Sequence, residues 1–159
     1  MLEDNLERMI KLAEEFFDAK NDPLQISVGE KTRRQLKRIH PSTMTEIRNK
    51  KGPIAWILVM PTTTALMDQF VARKIHEQDL LDKTPVPGTY NALYLCSALV
   101  LPEFRGKGYA KRLALKAIRS VRKQHRIRYL FYWAFSAEGR KLARSVASEI
   151  RLPLLSRNE

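Results

Sequence analysis

An α/β fold with a mixed central sheet flanked by helices is predicted by three observations. The runs "GPIAWILVM" (52–60), "ALYLCSALVL" (92–101) and "IRYLFYWAF" (127–135) have the length and composition of buried strands. Around them lie segments whose apolar residues recur at helical spacing. From 92 to 135 the order is strand, tight glycine turn, helix, strand, a β-α-β unit whose strands should be parallel with a right-handed crossover. The chain reads as a single domain over residues 1–159, long enough to bury most of its unfolded surface without cross-links.

Taken in order, residues 2–20 place Leu6, Met9, Ile10, Ala13, Phe16 and Phe17 on one face ahead of Asn21-Asp22-Pro23, which predicts an amphipathic helix. In 24–50, "LQISVG" has the look of a short strand, while "EKTRRQLKRI" and "PSTMTEIRN" read as two short helices broken at His40-Pro41. Residues 52–60, bounded by Gly-Pro and Pro61, are too short and too β-branched for a lone helix and read as a buried strand. The threonines at 62–64 cap one helix that carries Leu66, Met67, Phe70, Val71 and Ile75 and ends near Lys83. Pro85, Pro87 and Gly88 form a loop, and Pro102 ends the second strand. Over 109–124 an apolar stripe (Ala110, Leu113, Ala114, Ala117, Ile118, Val121) opposes a basic one (Arg112, Lys116, Arg119, Lys123), as on any helix buried along one side. Residues 127–135 are the third strand, Ala137–Ser148 a helix, and "IRLPLL" a terminal strand interrupted by Pro153.

The formal net charge of +12 is uneven: residues 1–30 carry 3 basic and 8 acidic side chains, 31–100 carry 11 and 5, and 101–159 carry 15 and 4. The positive field is thus strongest in the half that holds the glycine turn, where it attracts a phosphate-rich ligand, although a solvated basic surface has the same composition. No reading motif or basic-aromatic stacking pattern of the nucleic-acid modules occurs, so nucleic acid is a disfavoured partner. Cys96 is the lone cysteine, which rules out an internal disulfide and fits a reducing compartment. No metal-ligand cluster is visible. The N-terminus is acidic and amphipathic, unlike a signal peptide, and no run reaches the ~18 apolar residues of a membrane span. These features predict a cytoplasmic protein with no membrane partner.

The chemistry-bearing stretch is "LVLPEFRGKGYAKRLA" (99–114). A turn that ends a strand and opens a helix leaves the first helical N–H groups without partners, and the helix dipole adds positive charge there. Such a turn binds anions, and Gly106 and Gly108 bring no Cβ between a phosphate and those amides. Two nucleotide motifs fail: the dinucleotide fingerprint needs a glycine where Lys111 stands, and "SVGEKT" (27–32) lacks the P-loop core.

The pattern R-x-x-G-x-A, carried by Arg105, Gly108 and Ala110 behind an apolar strand, resembles the acetyl-CoA motif of the GNAT N-acetyltransferase superfamily. The likeness is strong over 93–122. It implies that the backbone of Leu99, Val100 and Leu101 pairs with the pantetheine arm of acetyl-CoA. The amides of Arg105, Gly106, Lys107, Gly108, Tyr109 and Ala110 then hold the pyrophosphate, while Lys111 or Arg112 reaches the ribose phosphate. It also implies transfer of the acetyl group to an amine, with the Leu99 N–H polarising the thioester.

The family often supplies its acid as a tyrosine on the helix after the third strand. Here Ser136 stands for the family's asparagine and Ala143 for that tyrosine, which leaves Tyr132, Ser136 or an ordered water as proton donor. Tyr94 and Cys96 read as core residues, Glu103 as a solvated turn residue, and Glu46, Glu77 and Asp79 lie outside the motif; no base is assigned. Relative to the family the C-terminus is short and a helix at 64–82 replaces a hairpin. The short end leaves an open sheet edge, to be paired with a second copy as a homodimer or covered by the N-terminal helix. The alternative function is a non-catalytic CoA-binding or nucleic-acid-binding module on the same fold.

Overall fold

The structure is a computed structural model that describes residues 4–20, 29–134 and 136–158. Five strands form one mixed sheet in the order β1 (Met44–Asn49), β2 (Gly52–Thr62), β3 (Ala92–Val100), β4 (Tyr129–Trp133), β5 (Leu154–Arg157). The first three are antiparallel neighbours; β3 with β4 and β4 with β5 run parallel, as the β-α-β reading requires. The helices are α1 (Asp4–Lys20), α2 (Glu30–Ile39), α3 (Thr64–Val71), α4 (Glu77–Lys83), α5 (Tyr109–Arg122) and α6 (Ala137–Ile150).

Two segments depart from the sequence reading. Residues 44–49, taken as helical, form β1, because the hairpin through Lys50 and Lys51 lets Met44 and Ile47 pack on the core while Glu46 and Arg48 stay in water. Met44 and Ile47 are three residues apart, a spacing that a helix shares, so pairing with β2 rather than a period in these six residues decides the element. The helix expected over 64–83 is two: Arg73 takes a left-handed φ of 65°, and the chain restarts where the His76 N–H donates to Asp79 Oδ2 at 2.8 Å. Thr63 caps α3 as anticipated, its hydroxyl accepting from the Leu66 N–H. The short strand read in "LQISVG" lies outside the described residues but for Gly29.

Most of the core is one continuous cluster in which Phe70, Tyr94 and Phe131 meet ring to ring, with centroids 5.0 to 5.9 Å apart. A second cluster seats α1: Met9 and Ala13 pack on Ile54, Leu99 and Leu101. So α1 lies over β2 and β3, not over the open edge at β5. Arg8 fixes it there through a two-pronged ion pair with Glu103, at 2.8 and 2.6 Å.

Candidate functional site

The site begins with a divergence of strands. β4 pairs with β3 only from Ala92↔Tyr129 to Leu95↔Tyr132, yet β3 continues to Val100. Where they part, the β2–β3 register slips, so that Leu58 faces Ser97 while Val59 faces Leu95 and Cys96 becomes the extra residue of a bulge. Residues 96–100 therefore keep β2 on one side and, among the described residues, have no strand on the other.

The ladder decides which amides face that open side. Leu101 donates its N–H to the Ile54 carbonyl at 3.0 Å, and in this register Ile54 is directly opposite it. Hydrogen-bonded pairs alternate in an antiparallel ladder, so Leu99 is likewise bonded to Trp56 and Ser97 to Leu58. The β1 side agrees: Val59 donates to the Thr43 carbonyl, which turns Leu58 toward β3. The N–H groups that point into the opening are those of Ala98 and Val100. This corrects the role expected for Leu99, whose amide is committed to β2. Leu101 is also removed from the expected set, because its carbonyl accepts the Phe104 N–H and its side chain is buried under α1. Val100 remains, its carbonyl held by Arg105 Nε at 3.0 Å.

The glycine turn follows. Pro102–Phe104 make one tight helical turn, and Gly106 (φ 77°) and Gly108 (φ 81°) both take left-handed backbone. A Cβ on either meets no protein atom within 4 Å, so the glycines serve backbone shape and an unobstructed outer face rather than internal packing. The first bond of α5 runs from the Arg112 N–H to the Gly108 carbonyl at 3.0 Å. Among the described residues, the amides of residues 106–111 find no backbone acceptor.

The charged side chains around the turn divide. Lys107 lies over the Phe104 ring at 5.7 Å and Arg112 over Tyr109 at 4.8 Å, which keeps both cations at the turn. Lys111 pairs with Glu149 of α6 at 3.3 Å, so Arg112 is the better placed of the two for a phosphate. Glu103 is the solvated turn residue expected, and Arg8 hydrogen-bonds its carboxylate and holds its pKa down to about 2.

The opened strand, the turn and the start of α6 enclose one cleft of about 860 Å³. Tyr132 and Ser136 line it too. Tyr132 is the last residue of β4 paired to β3; its ring packs on Leu95, Ala134 and Ala143, and its hydroxyl makes no hydrogen bond among the described residues. The small Ala143 is what gives the Tyr132 ring its place. Ser136 caps α6, its Oγ accepting from the Gly139 N–H at 3.1 Å, with the hydroxyl proton left to donate elsewhere. Leu12 and Phe16 of α1 close the other wall, a contribution the sequence signalled only as an apolar helix face. Among the described residues no group of His, Cys, Asp and Glu is placed to hold a metal ion, and no helix is long and apolar enough to cross a membrane.

Comparison with curated proteins and with solved structures finds no match. A match to the acetyltransferase (GNAT) family spans residues 12–146, from the second half of α1 through most of α6 and including every part of the cleft described above. The diverging parallel strands, the R-x-x-G-x-A turn and this match together place the chain in the GNAT family of acetyltransferases.

Proposed function

We propose that this protein transfers an acetyl group from acetyl-CoA to a primary amine. One observation carries the reading: the unpartnered amides at the start of α5 and the open edge of β3 belong to the same cleft, end to end. The amides and dipole of α5, with Arg112 and Lys107 beside them, match the charge and shape of a pyrophosphate. The inward N–H groups of Ala98 and Val100 match the amide-rich pantetheine arm. When bound, acetyl-CoA supplies an activated acetyl group and a thiol leaving group.

The chain's own part is to orient, polarise and move protons. An Ala98 or Val100 amide aimed at the reacting carbonyl stabilises charge that develops on oxygen. Tyr132, at the end of the opening and with no hydrogen bond to its hydroxyl among the described residues, is the proton donor on the thiol side, and Ser136 is the second candidate. The amine enters from the side opposite the turn.

The reading is tested by melting the protein with and without CoA and by following thiol release from acetyl-CoA against a panel of amines. Binding of CoA raises the melting temperature by mass action. A protein whose melting is indifferent to saturating CoA does not hold the cofactor, and the assignment of the cleft is then wrong.

A further inference from the structure

Behind the open edge of β3 lies an acidic group that the chemistry above does not use. Glu77, the first residue of α4, has 0% exposure. Carboxylates are among the side chains least often buried without a specific partner. Here Tyr94 donates its hydroxyl proton to Glu77 Oε2 at 2.5 Å, and the Cys96 thiol donates to the same oxygen at 3.5 Å. Arg157 of β5 adds its charge from the same region; its guanidinium bonds the Ile75 carbonyl at 2.6 Å and lies between the Phe70 and Trp133 rings.

The two donors are not equivalent. Tyr94 is fully buried in the ring cluster, and burial first, then the Glu77 charge, push its hydroxyl well above its usual range, so it stays a protonated donor. Cys96 is the bulge residue, placed where β3 leaves β4, and it lines the cleft two residues before the Ala98 amide. The bulge thus puts one thiol in contact with both the buried carboxylate and the reaction space.

We propose that Glu77, reached through the Cys96 thiol, is the base that accepts a proton from the incoming amine; this rests on the acetyl-transfer reading of the cleft. An ammonium nucleophile loses its N–H proton to the Cys96 sulfur as the existing S–H proton passes to Glu77 Oε2. One N–H bond and one S–H bond break, and one S–H bond and one O–H bond form. The thiol is unchanged, and the net transfer is from nitrogen to the carboxylate. The nitrogen's second proton leaves with the thiol product, and Glu77 returns its proton to solvent before the next turnover. Tyr94 holds the carboxylate in position throughout and is a positioning residue.

The test uses the full chain, acetyl-CoA, and water or simple amines as acceptors. Glu77→Gln keeps the oxygen that accepts from Tyr94 and should slow thiol release by roughly 100- to 1,000-fold, the usual worth of a general base. It should leave the CoA-induced rise in melting temperature unchanged. Cys96→Ala should act similarly, and Cys96→Ser, whose hydroxyl also relays, should recover part of the rate. Because Cys96 is the only cysteine, its S–H stretch stands alone in an infrared difference spectrum of the protein recorded without acetyl-CoA or CoA. That band should shift with Glu77→Gln. Wild-type release rates in Glu77→Gln or Cys96→Ala across the pH range overturn the relay, as does an S–H band that Glu77→Gln leaves in place. A wild-type protein that binds no CoA or releases no thiol sinks the acetyl-transfer reading itself, and the relay with it.

Discussion

Replacing Gly108 separates the anion cradle from the fold. Gly108 sits at φ 81° and ψ 11°, the residue before the first turn of α5, and no protein atom lies within 4 Å of a Cβ built there. The substitution is therefore strained by backbone angle and not by crowding. An alanine in left-handed backbone costs ~1–2 kcal/mol, which in a chain of this size lowers the melting temperature by ~2–8 °C. A β-branched residue tolerates that region less, so Gly108→Val should drive the backbone out of it and turn the Tyr109 and Ala110 amides away from a common point. Against this stands the ligand: at a hundred times its dissociation constant CoA stabilises by ~2.7 kcal/mol, a rise of ~5–11 °C. The expected result in paired thermal melts is a folded Gly108→Val protein, cooperative in its transition, that has lost most of the CoA-induced rise, with Gly108→Ala between it and wild type. Gly108→Val with an undiminished rise would show that these amides do not hold the ligand, and the argument from the helix start would fall.

The ladder parity is tested by proline, which deletes one N–H at a time. Val100→Pro removes an inward amide and should fold while losing roughly tenfold in CoA affinity, the worth of about one hydrogen bond, whereas Leu99→Pro removes a ladder bond to Trp56 and should disrupt the sheet by circular dichroism; the reverse pattern would restore Leu99. Tyr132→Phe should lower turnover by roughly ten- to a hundredfold with unchanged CoA affinity, since only a proton transfer is lost. Ser136→Ala should also cost about 1 kcal/mol of stability as a lost cap, which Ser136→Asp should retain, so stability and rate report separate roles of that hydroxyl. His125, whose Nδ1 accepts the Tyr90 N–H at 3.3 Å, is held below the usual imidazole range by burial and then by His40. The unfolded chain therefore takes up the proton first, and stability should fall as pH drops below about 6.5, the unfolded imidazole value. A His125→Gln protein should lose that part of the pH dependence in chemical denaturation, and an unchanged slope would refute the assignment.

Local chemistry alone determined the glycine turn and the β-α-β unit around it. A strand ended by Pro102, two glycines and an Ala/Leu helix can satisfy their backbone groups in few ways, and every requirement lies within some twenty consecutive residues. What depended on distant partners was not legible. β1 is a strand because β2 lies beside it, and residues 44–49 read alone carry too short a pattern to distinguish the two periods. Which amides of β3 face the cleft turns on the pairing of Leu101 with Ile54, 47 residues away, because a shift of one residue in register reverses every N–H. Glu103 reads as a solvated turn residue and is one, but its ion pair with Arg8 from the other end of the chain is visible only in the fold. Glu77, Tyr94 and Cys96 are three unremarkable letters on two elements, and only the break at Arg73 and the bulge in β3 bring them to one oxygen. Sequence specifies the groups that act through neighbours a few residues apart; the tertiary fold decides those whose chemistry depends on what burial and register place against them.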